Sequence, residues 1–194
     1  MRKIIVLTAF TIAQLALFGQ QTSFYKSELG AEIYAGVSNL GGAFGGELKY
    51  GYHANKNVII GPSFRLQRTW SNNLGVNQSF NIYGGGIFAH YRFQEKLFIG
   101  TELQLLKSPF NFVSFQTNVK QWAPIVLIGG GVNLKLHERI RLNAGIFYDL
   151  ANAENSPFRS SYTFKSKNQL GQIVKIYPII YRVTFFFPLG KPTN

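Results

Sequence analysis

The chain has 194 residues, enough for one domain and short for two, with a formal charge of +12 and no cysteine. The missing thiols exclude disulfide staples, thiolate metal sites and lipid attachment at a cysteine. Twenty Lys and Arg against eight Asp and Glu point to anionic surroundings, but the charges are spread singly rather than clustered, which argues against nucleic acid.

Arg2 and Lys3 precede an apolar run over 4–18 that ends in Gly19-Gln20-Gln21, the charged, greasy and small or polar regions of a secretory signal. The expected organisation is a cleaved signal over 1–20 and a single domain over 21–194. No later segment holds the roughly 18 unbroken apolar residues that a spanning helix needs.

From residue 28 onward the pattern is period two, the signature of strands. A first strand over 28–38 sets Leu29, Ala31, Ile33, Ala35 and Val37 against Gly30, Glu32, Tyr34 and Gly36. A glycine-rich loop over 39–43 leads to a second strand over 44–52, and the polar turn 53–57 to a third over 58–70. The stretch 71–78 reads as a loop from Asn72-Asn73 and Gly75. The fourth strand, 79–93, is less regular: Phe80 and Ile82 fall out of step with Tyr83, Ile87 and Tyr91, and a bulge near Gly84 to Gly86 would restore the phase. A short turn at 94–96 precedes the fifth strand, 97–107, and an aromatic loop over 108–121 follows. Residues 126–150 form the clearest hairpin, two alternating strands joined by His137-Glu138-Arg139. A loop over 151–172 and a last strand over 173–187 complete eight strands.

The fold class expected is all-β, an eight-stranded antiparallel up-and-down transmembrane β-barrel. Strands of ten or more residues suit a tilted bilayer crossing, and short turns on one rim face longer loops on the other. Trp70, Trp122, Tyr148 and Tyr177 collect toward the loop rim, and Tyr50, Tyr52, Tyr91, Phe93, Phe185 and Phe187 toward the turn rim, as headgroup belts do. A lipocalin-like soluble barrel would turn the apolar face inward. Here, however, the charged parity also carries much of the glycine, as a narrow packed interior requires.

With this strand count, loop asymmetry and an aromatic last strand (Tyr181, Val183, Phe185, Phe187), the chain resembles the small eight-stranded outer-membrane barrels of the OmpA/OmpX type. It is most similar to the outer-membrane β-barrel proteins of Bacteroidota, whose signals often end in Gly-Gln-Gln. The resemblance covers residues 28–187; the tail after Phe187 departs from it, since many such barrels end on the aromatic. It implies the bacterial outer membrane, reached through a Sec-type signal, and a barrel-insertion signal in the last strand.

The inward parity gathers Glu32, Glu47, Glu102 and Asp149 with Lys49, Arg65, Arg92, Lys135, Arg141 and Arg182, an expected ion-pair core, because a buried charge without a partner is costly. Eight strands leave no wide pore. No serine stands near His90, while His53 and His137 sit in short turns away from the outer loops, so acyl chemistry by a histidine base is not expected. Metal spacing is likewise missing, and no catalytic residue, cofactor or metal is assigned. The reading is a non-enzymatic surface or complex-forming barrel, with a narrow pore or a lipid-A-modifying enzyme as the alternatives. Phe110, Phe112 and Phe115 are the candidates for contact with another outer-membrane or surface protein. The last loop adds Arg159, Lys165 and Lys167 with Tyr162 and Phe164, a basic surface for an anionic partner. Arg68, Lys107 and Lys175 fall on the lipid parity at the loop rim, where long cations can snorkel and meet lipopolysaccharide phosphates. With both termini in the periplasm, protease added to intact cells is expected to cut only in the connectors beginning near Asn39, Ser71, Ser108 and Ala151. Cleavage at Lys56 or Arg139 would reverse the topology.

Overall fold

The computed structural model describes residues 25–38, 41–73, 76–94, 96–111, 116–117, 121–162, 164–171 and 173–191; the expected signal lies outside them. In chain order the strands are β1 (Ser27–Ser38), β2 (Gly41–His53), β3 (Val58–Asn73), β4 (Val76–Phe93), β5 (Leu97–Lys107), β6 (Phe110–Asn111), β7 (Gln116–Thr117), β8 (Trp122–His137), β9 (Ile140–Asp149), β10 (Lys165–Lys167), β11 (Ile173–Ile176) and β12 (Ile179–Leu189). A 3-10 turn, η1 (Pro157–Ser161), precedes β10. Strands β1 to β5, β8, β9 and β12 close into one antiparallel barrel, with β12 returning to β1. The pairs β6/β7 and β10/β11 are separate hairpins in the two long excursions on the loop rim.

Alternation assigns each side chain its side. Along β5, Leu97, Ile99, Leu103 and Leu105 are exposed, while Phe98, Glu102, Gln104 and Leu106 are buried. Leu48, Phe64, Ile87, Ile128, Ile146 and Tyr181 continue the apolar outer face around the barrel. Tyr50, Tyr52, Tyr91 and Phe93 near the turn rim, and Trp122, Tyr148 and Tyr177 near the loop rim, also face outward. The core of this molecule is therefore its lumen.

Three expectations about the strands are corrected. Strand replaces loop over 41–43, 71–73 and 76–78, because pairing continues to Ser38↔Gly41 and Asn73↔Val76. Polar pairs such as Asn72↔Asn77 keep their backbone ladder after the apolar alternation ends, so polarity alone mistook them for loop. Second, no bulge interrupts β4: its registers with β3 and β5 run unbroken through Gly84 to Gly86. Ile82 and Phe88 are in step and simply face an apolar part of the lumen. The glycines answer a close approach of chains, since a Cβ on Gly86 would run into the carbonyl oxygen of Leu103 and the Cα of Gln104, and one on Gly131 into Ala144 and Gly145. Third, the last strand divides. Residues 173–176 pair with β10 above the barrel, and only β12 enters the wall. Pro178 marks the break because it has no N–H to give a ladder; its carbonyl accepts from Asp149 N at 2.8 Å.

Candidate functional site

The lumen is built in storeys. Nearest the turn rim, Glu28 is fully buried and receives a bidentate pair from Arg92, at 3.0 and 2.8 Å. His53 Nε2 stands 3.0 Å from the same carboxylate and Arg141 Nε 3.8 Å. Above them lies an aromatic layer: Ile59, Phe88 and Phe186 form one apolar cluster, and His90 packs its ring 5.0 Å from Phe88 and 5.2 Å from Phe98.

The middle storey is a girdle of three carboxylates and three cations. Arg182 Nη2 donates to Glu32 at 2.6 Å and to Glu47 at 2.7 Å, while its Nη1 donates to Glu102 at 2.5 Å. Arg65 joins Glu32 and Glu47, and Lys49 joins Glu102. Gln104 and Thr184 donate to the remaining lone pairs of Glu47 and Glu32. Each of these six charged groups is nearly excluded from solvent, so a guanidinium planar enough to serve several carboxylates at once is needed at the centre.

The girdle is roofed by the loop rim. The main apolar cluster joins Ile82, Leu106, Ile125, Leu127 and Ile180 to Phe158 and Tyr162, which η1 and its C-terminal residue bring down into the mouth. The Phe158 ring lies 4.7 Å from the Arg65 guanidinium and 5.9 Å from that of Arg182, a cation–π lid on the charges. Asp149 holds this plug. Its Oδ1 accepts from the backbone N–H groups of Ala151 and Asn152 at 3.1 and 3.2 Å, and its Oδ2 from Tyr162 OH at 2.9 Å and Ser156 Oγ at 3.3 Å. Burial raises the Tyr162 hydroxyl well above the ordinary tyrosine range, and the neighbouring Asp149 carboxylate raises it further. The stability linked to this buried hydroxyl is thus fully present below the ordinary tyrosine pKa and lost as pH rises through the raised folded value. Asn155 Nδ2 donates to Ser108 O at 3.0 Å and ties the two excursions together.

Of the residues the sequence placed in the interior, Glu32, Glu47, Lys49, Arg65, Glu102 and Arg182 meet in the girdle, and Arg92 and Arg141 meet at Glu28. Asp149 stands apart as the loop organiser, because it is the last residue of β9 and faces the mouth. Lys135 is half-buried at the turn rim beside a register shift. Sequence reading missed Glu28, His53 and His90. The signal was present in their parity, which matches Glu32, Lys49 and Arg92, but two of the histidines were weighed only as turn residues or catalytic bases.

On the outer wall, Arg68 pairs with Asn81, and Lys107 with Tyr83, across either edge of β4; Lys107 Nζ lies 5.6 Å from the Tyr83 ring. Lys175 is separate from them, carried on β11 outside the wall and stacked 4.8 Å over Tyr177. Arg159 is turned onto the carbonyls of Asn152 and Ala153, and Tyr162 is buried, so the basic face expected of the last loop loses two of its members. Phe110 pairs through its backbone with Thr117; its side chain, Phe112 and Phe115 lie outside the described residues.

No family model and no curated protein matches the chain. Among solved structures it is similar to Neisserial surface protein A at 14% identity, with 84% of this chain and 96% of that one covered and a TM-score of 0.44. The outer membrane protein Ail of Yersinia pestis, solved in phospholipid bilayer nanodiscs, is 15% identical, with 84% and 98% covered and a TM-score of 0.45.

Removing a partner from a buried ion pair leaves an uncompensated charge, at about 3–5 kcal/mol. Arg182→Met is therefore expected to lower unfolding free energy in urea by about that amount, and adding Glu102→Gln to recover part of it. A double variant no more stable than the single one would show that Arg182 acts through packing instead.

Proposed function

We propose that the protein is a non-enzymatic barrel of the bacterial outer membrane, a structural or interaction component of the surface, with its lumen sealed. The observation that carries the reading is the inversion of the molecule: charge is inside, and large apolar side chains such as Ile87 (59% exposed) and Leu103 (45%) form the outside. Only hydrocarbon solvates such a wall without aggregation. Antiparallel pairing around the wall also satisfies its backbone, as a bilayer demands, except along the upper part of the closing seam between β1 and β12.

A narrow pore finds less support, because the girdle crosses the lumen and Phe158 caps it. The lipid-A enzyme reading is weaker for a related reason: His90 faces Glu102 at 3.3 Å, below the plug, and not the mouth where an outer-leaflet lipid would arrive. The excursions 108–121 and 150–178 are the parts we assign to partner proteins, with Phe110, Phe112 and Phe115 among the contacts. Of the four loop-rim connectors, these two separate their wall strands by the longest stretches of chain and so offer protease the longest targets. Arg68 and Lys107, and separately Lys175, are offered to lipopolysaccharide phosphates.

Two measurements test this. A cation on the lipid face costs about 2–4 kcal/mol at the bilayer midplane and about 0–1 near the interface, so Ile87→Arg should destabilise the bilayer-reconstituted barrel by the larger amount and Leu136→Arg, near the turn rim, hardly at all. In a barrel that lives in water, both changes would be harmless. Purified Arg68→Ala/Lys107→Ala protein is expected to retain less lipopolysaccharide than wild type; equal retention by a folded variant would leave these cations as hydrated rim residues.

A further inference from the structure

The two strands that close the barrel stop pairing before either ends. Their ladder runs from Ser27↔Leu189 to Ala31↔Phe185. Beyond it β1 continues to Ser38 beside β2 alone, and β12 from Ile179 to Thr184 lies beside β9 alone. Side chains bridge the gap instead. Glu32 reaches Arg182 and Thr184 on the lumen side, and Tyr34 OH lies 3.0 Å from Ser161 Oγ of η1. An open edge at membrane depth is tolerated where it lines a cavity, and a cavity of about 180 Å³ sits here. Ile33, Tyr181 and Val183 line it from the wall, and Arg65, Arg182 and Phe158 from the lumen.

Ile33, 80% exposed, also borders a second hollow of about 420 Å³ on the outer wall. Gly46 floors this trough, registered between Ile33 and Leu66. One row nearer the loop rim Phe44 pairs with Arg68, which is exposed. The two hollows meet at Ile33, so a line of lining residues runs from a guanidinium at the rim, over a glycine floor, past Ile33 to the apolar side of the seam, where Phe158, Ile180 and Val183 stand opposite Glu32, Arg65 and Arg182. The Glu32–Arg182 clasp crosses the gap on the lumen side, which argues against an inserted β-strand as the occupant and for a thinner, flexible chain. A rim cation that faces outward is also placed to pair with a headgroup phosphate.

We propose that this trough and seam hold one acyl chain of a phosphate-bearing membrane lipid, with its headgroup on Arg68 and its chain end inside the barrel wall at Phe158. The assignment rests on the membrane seat argued above. The test is photolabelling of the whole protein in phosphatidylglycerol vesicles doped with phosphatidylglycerol carrying a diazirine at its chain end, with adducts mapped by peptide mass spectrometry. Adducts are expected at Pro157 or Phe158 as well as on outward residues such as Ile87 and Leu103. Outward adducts alone overturn the seam site and leave the membrane seat standing; adducts at neither place overturn both.

A disulfide between Ile33→Cys and Val183→Cys zips the seam. It should abolish the Phe158 adduct until reduced while the Ile87 and Leu103 adducts persist, and a Phe158 adduct unaffected by the zip overturns the route. Arg68→Ala should weaken labelling at Phe158 by the phosphatidylglycerol probe, and no weakening overturns the headgroup assignment. An Ile33→Cys single variant that oxidises to a linked dimer in the membrane would give the seam to a second copy of this chain and overturn the proposal.

Discussion

Everything in this barrel depends on the charge match between Arg182 and the three carboxylates it serves. Glu32, Glu47 and Glu102 come from β1, β2 and β5, and Arg182 arrives from the last strand to sit among them. An interior this narrow admits no water shell for a lone ion, so each charge must find its opposite on another strand. The contacts therefore join residues 150, 135 and 80 positions apart in the chain, and the last strand is stitched to the first through side chains where the ladder between them is short.

The remaining storeys follow from the girdle. Aromatic rings below it exclude water from the charges, and Phe158 does the same above, while its ring face meets Arg65 and Arg182. The plug needs an anchor of its own, and Asp149 supplies one by gathering loop N–H groups and two hydroxyls. A carboxylate that looked like part of the ion-pair core is thus the hinge between wall and loop. Girdle and plug together fill the lumen between the aromatic layer and the mouth.

The barrel's asymmetry lies at the closure. Seven neighbouring pairs are consecutive in the chain and zip from a turn or an excursion; the eighth joins the ends and pairs over five residues only. The cavity at the seam lies beside the unpaired part of that last pair, with Glu32 as both a girdle member and the clasp of the seam.

The sequence by itself determined that eight strands make the wall, the inside and outside of those strands apart from the first half of β4, the turn rim and the charged members of the girdle. All of these follow from a local rule, since successive side chains of a strand point to opposite faces. Glu32, Lys49, Arg65, Glu102 and Arg182 could be placed in the lumen by parity without knowing one contact. Tertiary structure alone decided where polar strands end, as at Asn72 and Asn77, because a ladder of backbone bonds does not require alternating polarity. It decided that Pro178 divides the last strand, that Phe158 and Tyr162 descend into the mouth, and that β1 and β12 part at Ala31. Each of these depends on which strands meet across the closed barrel, and that pairing of distant segments leaves no periodic trace in the residues that make it.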